Sequence, residues 1–470
     1  MMFLPTQKSK RVFFAILVFA FLFTSGQGCF RSGNKNAPAP VSLTVWTVFD
    51  DNDGYNEAFR AYQTEHPHVS FVFKKLRFEE YEQRLLEAFA SGRGPDIFLV
   101  HNAWMNKYKD LSLIAPMPKT LDIVVQETTG GLKKEVIFTE KKVPTLTEKD
   151  LRDQYVGTVA DRVLMDYKQS AEAQKEELIF GVPMSLDTLA LYYNSDLLDQ
   201  AGIAEPAKTW DKFQEDVKLL TKVNENGDII QSGAAIGTAK NVERSADILS
   251  VLMMQTGTPM VNDRGEATFD KFPQGAQTTG ETPGADAVRF YADFSDPTKD
   301  VYTWNSEQPN SFDAFVTGKT AYFFGYAYHL PLIRARAPKL NFGVSELPQI
   351  ANAKQVNYAN YWIHTVSPQT TNSNWAWDFI LFMQKKENAV AYLQKTEKPT
   401  ARRDLIESQI EDIYLGPFAN QILTADDWYE GKDINAAEES LKELIDLVVS
   451  GSMEIKDALD FAVKKVNQTL

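Results

Sequence analysis

SLTVWTV at residues 42–48 is a β-branched run, apolar on both faces, as in a strand covered on two sides. Tyr55, Phe59 and Tyr62 follow at i, i+4 and i+7, the spacing of one helical face. Val69, Phe71 and Phe73 alternate as in a strand, and Phe78, Tyr81, Leu85, Ala88 and Phe89 return to the helical period. Gly92-Arg93-Gly94-Pro95 stops that helix, and DIFLV at residues 96–100 is a third short apolar strand. The order β-α-β-α-β argues for a parallel sheet with helices on both faces, in which ligands meet the loops at the carboxyl ends of the strands. Those loops are residues 49–54 and 101–107.

Further along, residues 117–178 are charged, carry a Gly130-Gly131 break and read as a helical insertion. A second α/β pattern starts near Ile179, with an apolar run at residues 189–193. Thr209 is a candidate N-cap for a helix with Phe213, Val217 and Leu220 on one face and Trp210 in its first turn. Residues 436–470 read as strongly amphipathic helix, and no repeat of fixed period is present.

The 470 residues are 44% apolar and 24% charged, which excludes a collagen-like, disordered or disulfide-stapled chain. The net charge of −14 becomes −17 without Lys8, Lys10 and Arg11. So acidic a surface repels phosphate backbones, and nucleic acid is not an expected partner. Residues 1–28 read as an export signal: those three cations, then twelve apolar residues at 12–23, then small and polar residues. Twelve residues are short for a bilayer core of about 30 Å. The single cysteine, Cys29, follows directly and resembles the lipid-attachment point of a bacterial lipoprotein, although Gly26 stands where such sites usually carry Leu. Residues 29–41 then form a flexible tether, and no intrachain disulfide is possible.

Several chemical signatures fail. Thr317-Gly318-Lys319-Thr320 looks like the end of a phosphate loop, but the first glycine of that motif falls on Asp313. Asp50-Asp51-Asn52-Asp53-Gly54 looks like a calcium loop, but alignment on Gly54 puts Phe49 and Arg60 at ligand positions. The five histidines form no H-E-x-x-H pair, and there is no G-x-S-x-G elbow. No catalytic residue, cofactor or metal is expected, although a pair among the 63 acids stays open as a hydrolytic alternative.

The segments LTVWTVFDDNDGYNEAF, GPDIFLVHNAWM, FGVPMSLDTLALYYNSDLL, KTWDKF, FVTGKTAYFFG, FGVSELP, YANYWIHTVSP and KPTARRDL occur in an order that resembles the extracellular solute-binding proteins of ABC importers, in their maltose/oligosaccharide-binding branch. The resemblance spans residues 42–410. It implies an α/β, two-lobed periplasmic-binding-protein-like fold with parallel-rich sheets flanked by helices. Several hinge crossings would join the lobes, near residues 181–186, 342–348 and 395–401, with Pro183 and Pro348 stiffening the first two. Lobe one would hold residues 42–183 and 348–395, and lobe two residues 184–345 and 400–470.

By the same resemblance, Asp50, Asp51, His101, Asn102, Trp104, Asp187, Tyr326, Tyr328, Tyr361, Trp362 and Arg402 are candidate ligand contacts. The chemistry suits a sugar, whose apolar face needs an aromatic platform and whose hydroxyls need bidentate polar side chains. Asp50 and Asp51 could instead cap the following helix, His101 could be a hydrogen-bonded core histidine, and Arg402 could pair with an acid. The implied protein is an exported monomer, anchored to the cell membrane by lipid on Cys29. It would capture a small ligand, an oligosaccharide first, and deliver it unaltered to an ABC permease. An exported carbohydrate-active hydrolase and a receptor for a peptide or polyamine are the alternatives.

Overall fold

The computed structural model describes residues 38–129, 135–168, 172, 174–276 and 279–470. The export signal, Cys29 and the tether up to residue 37 lie outside the described residues. Residues 40–123 and 140–470 form one compact unit, which holds both main sheets.

The opening pattern folds as β1 (Val41–Thr47), α1 (Asn52–Glu65), β2 (Val69–Lys75), α2 (Phe78–Ala90) and β3 (Ile97–His101). Tyr55, Phe59 and Tyr62 of α1 are buried, and Phe59 stacks on Phe71 of β2 at 4.2 Å between ring centroids. From α2, Tyr81, Leu85 and Phe89 are buried, whereas Phe78 in its first turn is left half in solvent. The first sheet has five strands in the order β2, β1, β3, Trp362–Val366 and Val182–Pro183. β1 runs parallel to β2 and β3, while Trp362–Val366 runs antiparallel to β3, with Trp362 opposite His101.

The second sheet has five strands in the order Lys222–Val223, Ile229–Ala234, Thr320–Gly325, Ala190–Asn194 and Phe342–Ser345. Every residue of Thr320–Gly325 is buried, as befits the central strand. Thr209 caps the helix Trp210–Leu220 by accepting the Lys212 N–H at 3.3 Å, and Trp210, Phe213, Val217 and Leu220 are buried beneath it. The tail forms Ile434–Val449 and Ile455–Val466, two helices packed on each other and on the helices Ser245–Gln255 and Pro283–Asp293.

Both sheets are mixed rather than parallel-rich. Each takes a strand that crosses over from the other sheet and pairs antiparallel: Trp362–Val366 with β3 in the first, Ala190–Asn194 with Thr320–Gly325 in the second. Between the sheets lies a three-stranded sheet in the order Ala425–Asp426, Asn357–Asn360 and Asp187–Thr188. The chain leaves the first sheet through residues 184–189 and returns at 357–361. The expected return at 342–348 is corrected, because Phe342–Ser345 belongs to the second sheet as its edge strand, paired with Ala190–Asn194. Pro348 is likewise held inside the second body, where its carbonyl accepts the Gln255 amide at 3.1 Å. A third passage, near residues 397–401, runs beside the first, with the Leu186 N–H on the Pro399 carbonyl at 3.3 Å.

The helical reading of residues 117–178 is also corrected. Among its described residues the segment holds two strand pairs, Thr120–Thr129 with Glu135–Pro144 and Leu164–Tyr167 with Glu176–Ile179, and two short helices, Glu148–Gln154 and Gly157–Val163. Leu121 and Ile123 alternate with exposed Asp122, the period-two signal that the surrounding charge obscures. No helix among the described residues is long and apolar enough to cross a membrane.

Candidate functional site

The strand ends of the first sheet and the loops of the second meet around a cavity of about 300 Å³. β1 delivers Phe49 and Asp50 to it. The chain turns there because the Thr47 hydroxyl donates to the Asp50 carbonyl at 3.0 Å, and this points the Asp50 side chain inward. Its carboxylate accepts the Tyr392 hydroxyl and the Lys398 ammonium. Burial alone would raise the Asp50 carboxyl, but the Lys398 charge and these two hydrogen bonds outweigh it and hold the group below its ordinary value.

β3 ends on His101, which starts the short 3-10 turn Asn102–Trp104. Its Nδ1 accepts the Ala103 N–H at 3.4 Å, which leaves the Nε2 proton for the Asn360 Oδ1 at 3.1 Å. Burial pushes the His101 imidazole down to about 4, so it is neutral at physiological pH. His364, on the neighbouring strand, is pushed down to about 4 in the same way, and its Nε2 meets the Tyr55 hydroxyl at 2.7 Å. Trp362 stands between these groups, with its ring 5.2 Å from His101 and 5.3 Å from Trp104.

The opposite wall holds Arg244, Tyr328, Ile434, Asn435 and Glu438. Arg244 has φ of 57°, a left-handed conformation unusual for a side-chain-bearing residue, just before the helix Ser245–Gln255. Two hydrogen bonds to Asp247 at 2.7 and 2.8 Å and one to Glu438 at 2.9 Å hold its guanidinium. Such backbone strain persists where the surroundings over-determine the side chain, as this fork does. Burial opposes the Arg244 charge, but Asp247 and Glu438 hold the group well above its ordinary value.

Asp187 joins the two walls from the middle sheet. Its Oδ1 accepts the Thr188 N–H at 2.9 Å and the Ala327 N–H at 3.0 Å. Burial pushes the Asp187 carboxyl up to about 7, and these backbone donors and Lys398 offset only part of that rise.

Of the eleven candidate contacts, the cavity is lined by Asp50, His101, Trp104, Asp187, Tyr328, Tyr361 and Trp362. The structure places the other four away from the cavity lining. Asp51 points outward, its side chain 76% exposed and paired with Lys75 at 2.9 Å, because adjacent residues of an extended segment face opposite ways. Asn102 is used inside the structure, donating to Asp427 Oδ2 at 2.8 Å and accepting the Tyr361 N–H at 3.3 Å. Tyr326 is fully buried and donates to Asp247 at 2.5 Å, so it braces the Arg244 fork from behind. Arg402 pairs with Asp404 at 2.9 and 3.0 Å and donates to the Gln384 carbonyl at 2.8 Å.

Sequence reasoning missed Phe49, Arg244, His364, Tyr392, Lys398 and Glu438, all of which line the cavity. Lys398 and Tyr392 could have been found by asking what neutralises Asp50. Arg244 and Glu438 carry no local signal. No group of residues suited to hold a metal ion occurs among the described residues.

The family model for bacterial extracellular solute-binding proteins matches residues 57–412. A galactooligosaccharide-binding protein of Bacillus subtilis is 20% identical over 376 residues, 80% of this chain and 76% of that protein. A putative binding protein of Brucella abortus is 20% identical over 348 residues, 72% of this chain and 70% of that one. Among solved structures, the cyclic alpha-maltosyl-1,6-maltose binding protein of Arthrobacter globiformis has the same fold, with a TM-score of 0.69 at 16% identity over 92% of this chain and 99% of that one.

Proposed function

The chain belongs to the bacterial extracellular solute-binding protein family, and from that premise we propose that its solute is an oligosaccharide, gripped in the cavity between the two sheets. It is thus a binding protein and not an enzyme. The observation that carries the sugar reading is the composition of the cavity wall, where the aromatic rings of Trp104 and Trp362 stand with fixed polar groups (Asp50, Asp187, Asn360, Arg244). Rings take the apolar face of a sugar, and the acids and amide take its hydroxyls. The Bacillus and Arthrobacter proteins are both named for binding saccharides, which supports the reading.

Asp50, His101, Trp104, Asp187, Tyr328, Tyr361 and Trp362 are the proposed ligand-facing residues, with His101 and Asp50 set in place by Asn360 and Lys398. Binding favours the closed arrangement because the ligand touches both walls, and a membrane permease of the ABC type then receives the loaded monomer. Lipid on Cys29 keeps the protein at the membrane; Cys29→Ser should release it from the membrane fraction into the medium.

A melting-temperature screen against saccharides, polyamines and peptides, with product analysis of every hit, tests the reading. Stabilisation by saccharides that are recovered intact is the expected result. Stabilisation by polyamines alone would favour a cation receptor, which Asp187 and Glu438 beside aromatic rings could serve. Cleaved sugar would return the hydrolase alternative.

A further inference from the structure

We propose that Phe49 and Tyr328 form a length stop where the two walls of the cavity meet, which admits a saccharide of one or two rings and rejects longer chains. The inference rests on the saccharide reading above and adds the size of the ligand to it.

The two rings come from opposite sides. Phe49 follows β1 of the first sheet, and Tyr328 precedes the helix His329–Arg336 of the second body. Their centroids are 6.1 Å apart and their planes lie within 3° of parallel. Phe49 also stacks on Phe78 at 5.9 Å, and Tyr328 stacks on Tyr326 at 5.8 Å. Four rings therefore form a bar from one wall to the other. Both central rings of the bar stand beside anchored residues. Asp50, next to Phe49, is clamped by Tyr392 and Lys398, and the N–H of Ala327, next to Tyr328, is bound to Asp187 at 3.0 Å.

Distance decides what the bar can do. A carbon atom rests about 3.5–4 Å from an aromatic carbon, so a sugar ring held between two parallel aromatic rings needs roughly 7–8 Å between their planes. For parallel rings the centroid distance is the upper limit of the plane spacing, and 6.1 Å falls short. A sugar ring cannot sit between Phe49 and Tyr328. Nor does the pair offer a free platform on its inner faces, since each ring is already the other's stacking partner. Phe49 is an apolar ring left 42% exposed, a placement that gains little from burial and much from the ring pair. The cavity volume of about 300 Å³ lies at the small end for ligand pockets.

The full-length protein, Phe49→Ala and Tyr328→Ala would be titrated calorimetrically with ladders of one to six residues of α-1,4-glucan, β-1,4-galactan and β-1,4-mannan. Melting of the ligand-free variants checks that they fold. In the wild type, affinity should peak at one or two residues and fall about tenfold or more by four residues. In Phe49→Ala and Tyr328→Ala the longer ladder members should approach the affinity of the dimer, and the dimer should dissociate faster than from the wild type. Equal wild-type affinity for the dimer and the hexamer, or one length profile shared by all three proteins, overturns the length stop and leaves the saccharide reading intact. Failure of every ladder at every length, with a polyamine or peptide bound instead, removes both.

Discussion

The two walls of the cavity reach similar polarity by different routes. On the first-sheet side, Phe49, Asp50, His101 and Trp362 sit at or just beyond strand ends, so one sheet edge brings them together. Their single formal ion pair, Asp50 with Lys398, is neutral overall. On the second side, Arg244 just before one helix and Glu438 within another are 194 positions apart, and one cation faces two acids, Asp247 and Glu438. The first wall is set by strand geometry, and the second by a buried charge cluster. The second is therefore the wall whose loss should unfold the protein, and the first the wall whose loss should empty it.

The largest effect expected from this contrast is on stability. Arg244→Ala would leave Asp247, with its side chain 2% exposed, and Glu438 facing each other without their cation. Breaking a buried pair by removing one partner costs about 3 kcal/mol or more, so urea unfolding should show a loss of about that size. A loss below about 1 kcal/mol would mean that the cluster is a surface feature and that the two walls do not differ in kind.

Next come two acids of the cavity, Asp187 between the walls and Asp50 on the first. Asp187 is pushed up to about 7 by burial, whereas Asp50 is held below its ordinary value by Lys398. Their signs in stability are opposite. Folded Asp187 keeps a proton that the unfolded chain has already released, so its contribution is complete below about pH 4 and is lost as pH rises through about 7. Asp50 contributes above the unfolded value and loses that contribution as pH falls through its depressed one. Asp187→Asn keeps an oxygen for the Thr188 and Ala327 N–H groups and removes the ionisation. Relative to the wild type it should gain about 2 kcal/mol between pH 5 and pH 8, after allowance for water entering the cavity. A pH profile identical to that of the wild type would show that Asp187 is ionised at no cost.

How far these groups could be read from the sequence follows the same division. The loops after β1 and β3 were legible because alternating strands and helices fix which loops share a rim, and Asp50, His101 and Trp104 are within three residues of a strand end. The helix capped by Thr209 was legible because the cap and the buried face are local. Arg244 and Glu438 were not, since a left-handed backbone and a contact across 194 positions leave no periodic trace. The strand pairs within 117–178 were hidden because charged residues on the exposed face imitate an amphipathic helix. Tyr326 failed for a subtler reason. The segment was placed correctly, but its ring turns inward to Asp247 while Tyr328, two positions on, turns to the cavity.

A smaller effect should come from the first wall. Trp362 has Phe49, Phe78, Tyr81, His101 and Trp104 around it, at centroid distances of 5.2 to 6.3 Å, so its orientation is fixed before any ligand arrives. Trp362→Ala should weaken saccharide binding by about 1.4 kcal/mol, a factor of about ten, read by calorimetry. The ligand-free protein should lose less stability than Arg244→Ala loses. If the order were reversed, with the tryptophan variant the less stable of the two, the assignment of binding to one wall and stability to the other would fall.

The smallest effect tests where the first wall ends. Asp50 and Asp51 are neighbours of the same chemistry, yet one is buried against Lys398 and Tyr392 and the other is 76% exposed beside Lys75. An exposed pair of this kind contributes about 0.5 kcal/mol or less. Asp51→Ala should therefore leave both saccharide affinity and melting temperature close to those of the wild type. Asp50→Ala should instead leave the Lys398 ammonium, 22% exposed, at the cavity without its counter-charge, and lower both. If Asp51→Ala weakened binding as strongly as Asp50→Ala, the loop would have to turn Asp51 inward when ligand binds. The rim after β1 would then be a moving part rather than the fixed edge that the Thr47 and Lys398 contacts describe.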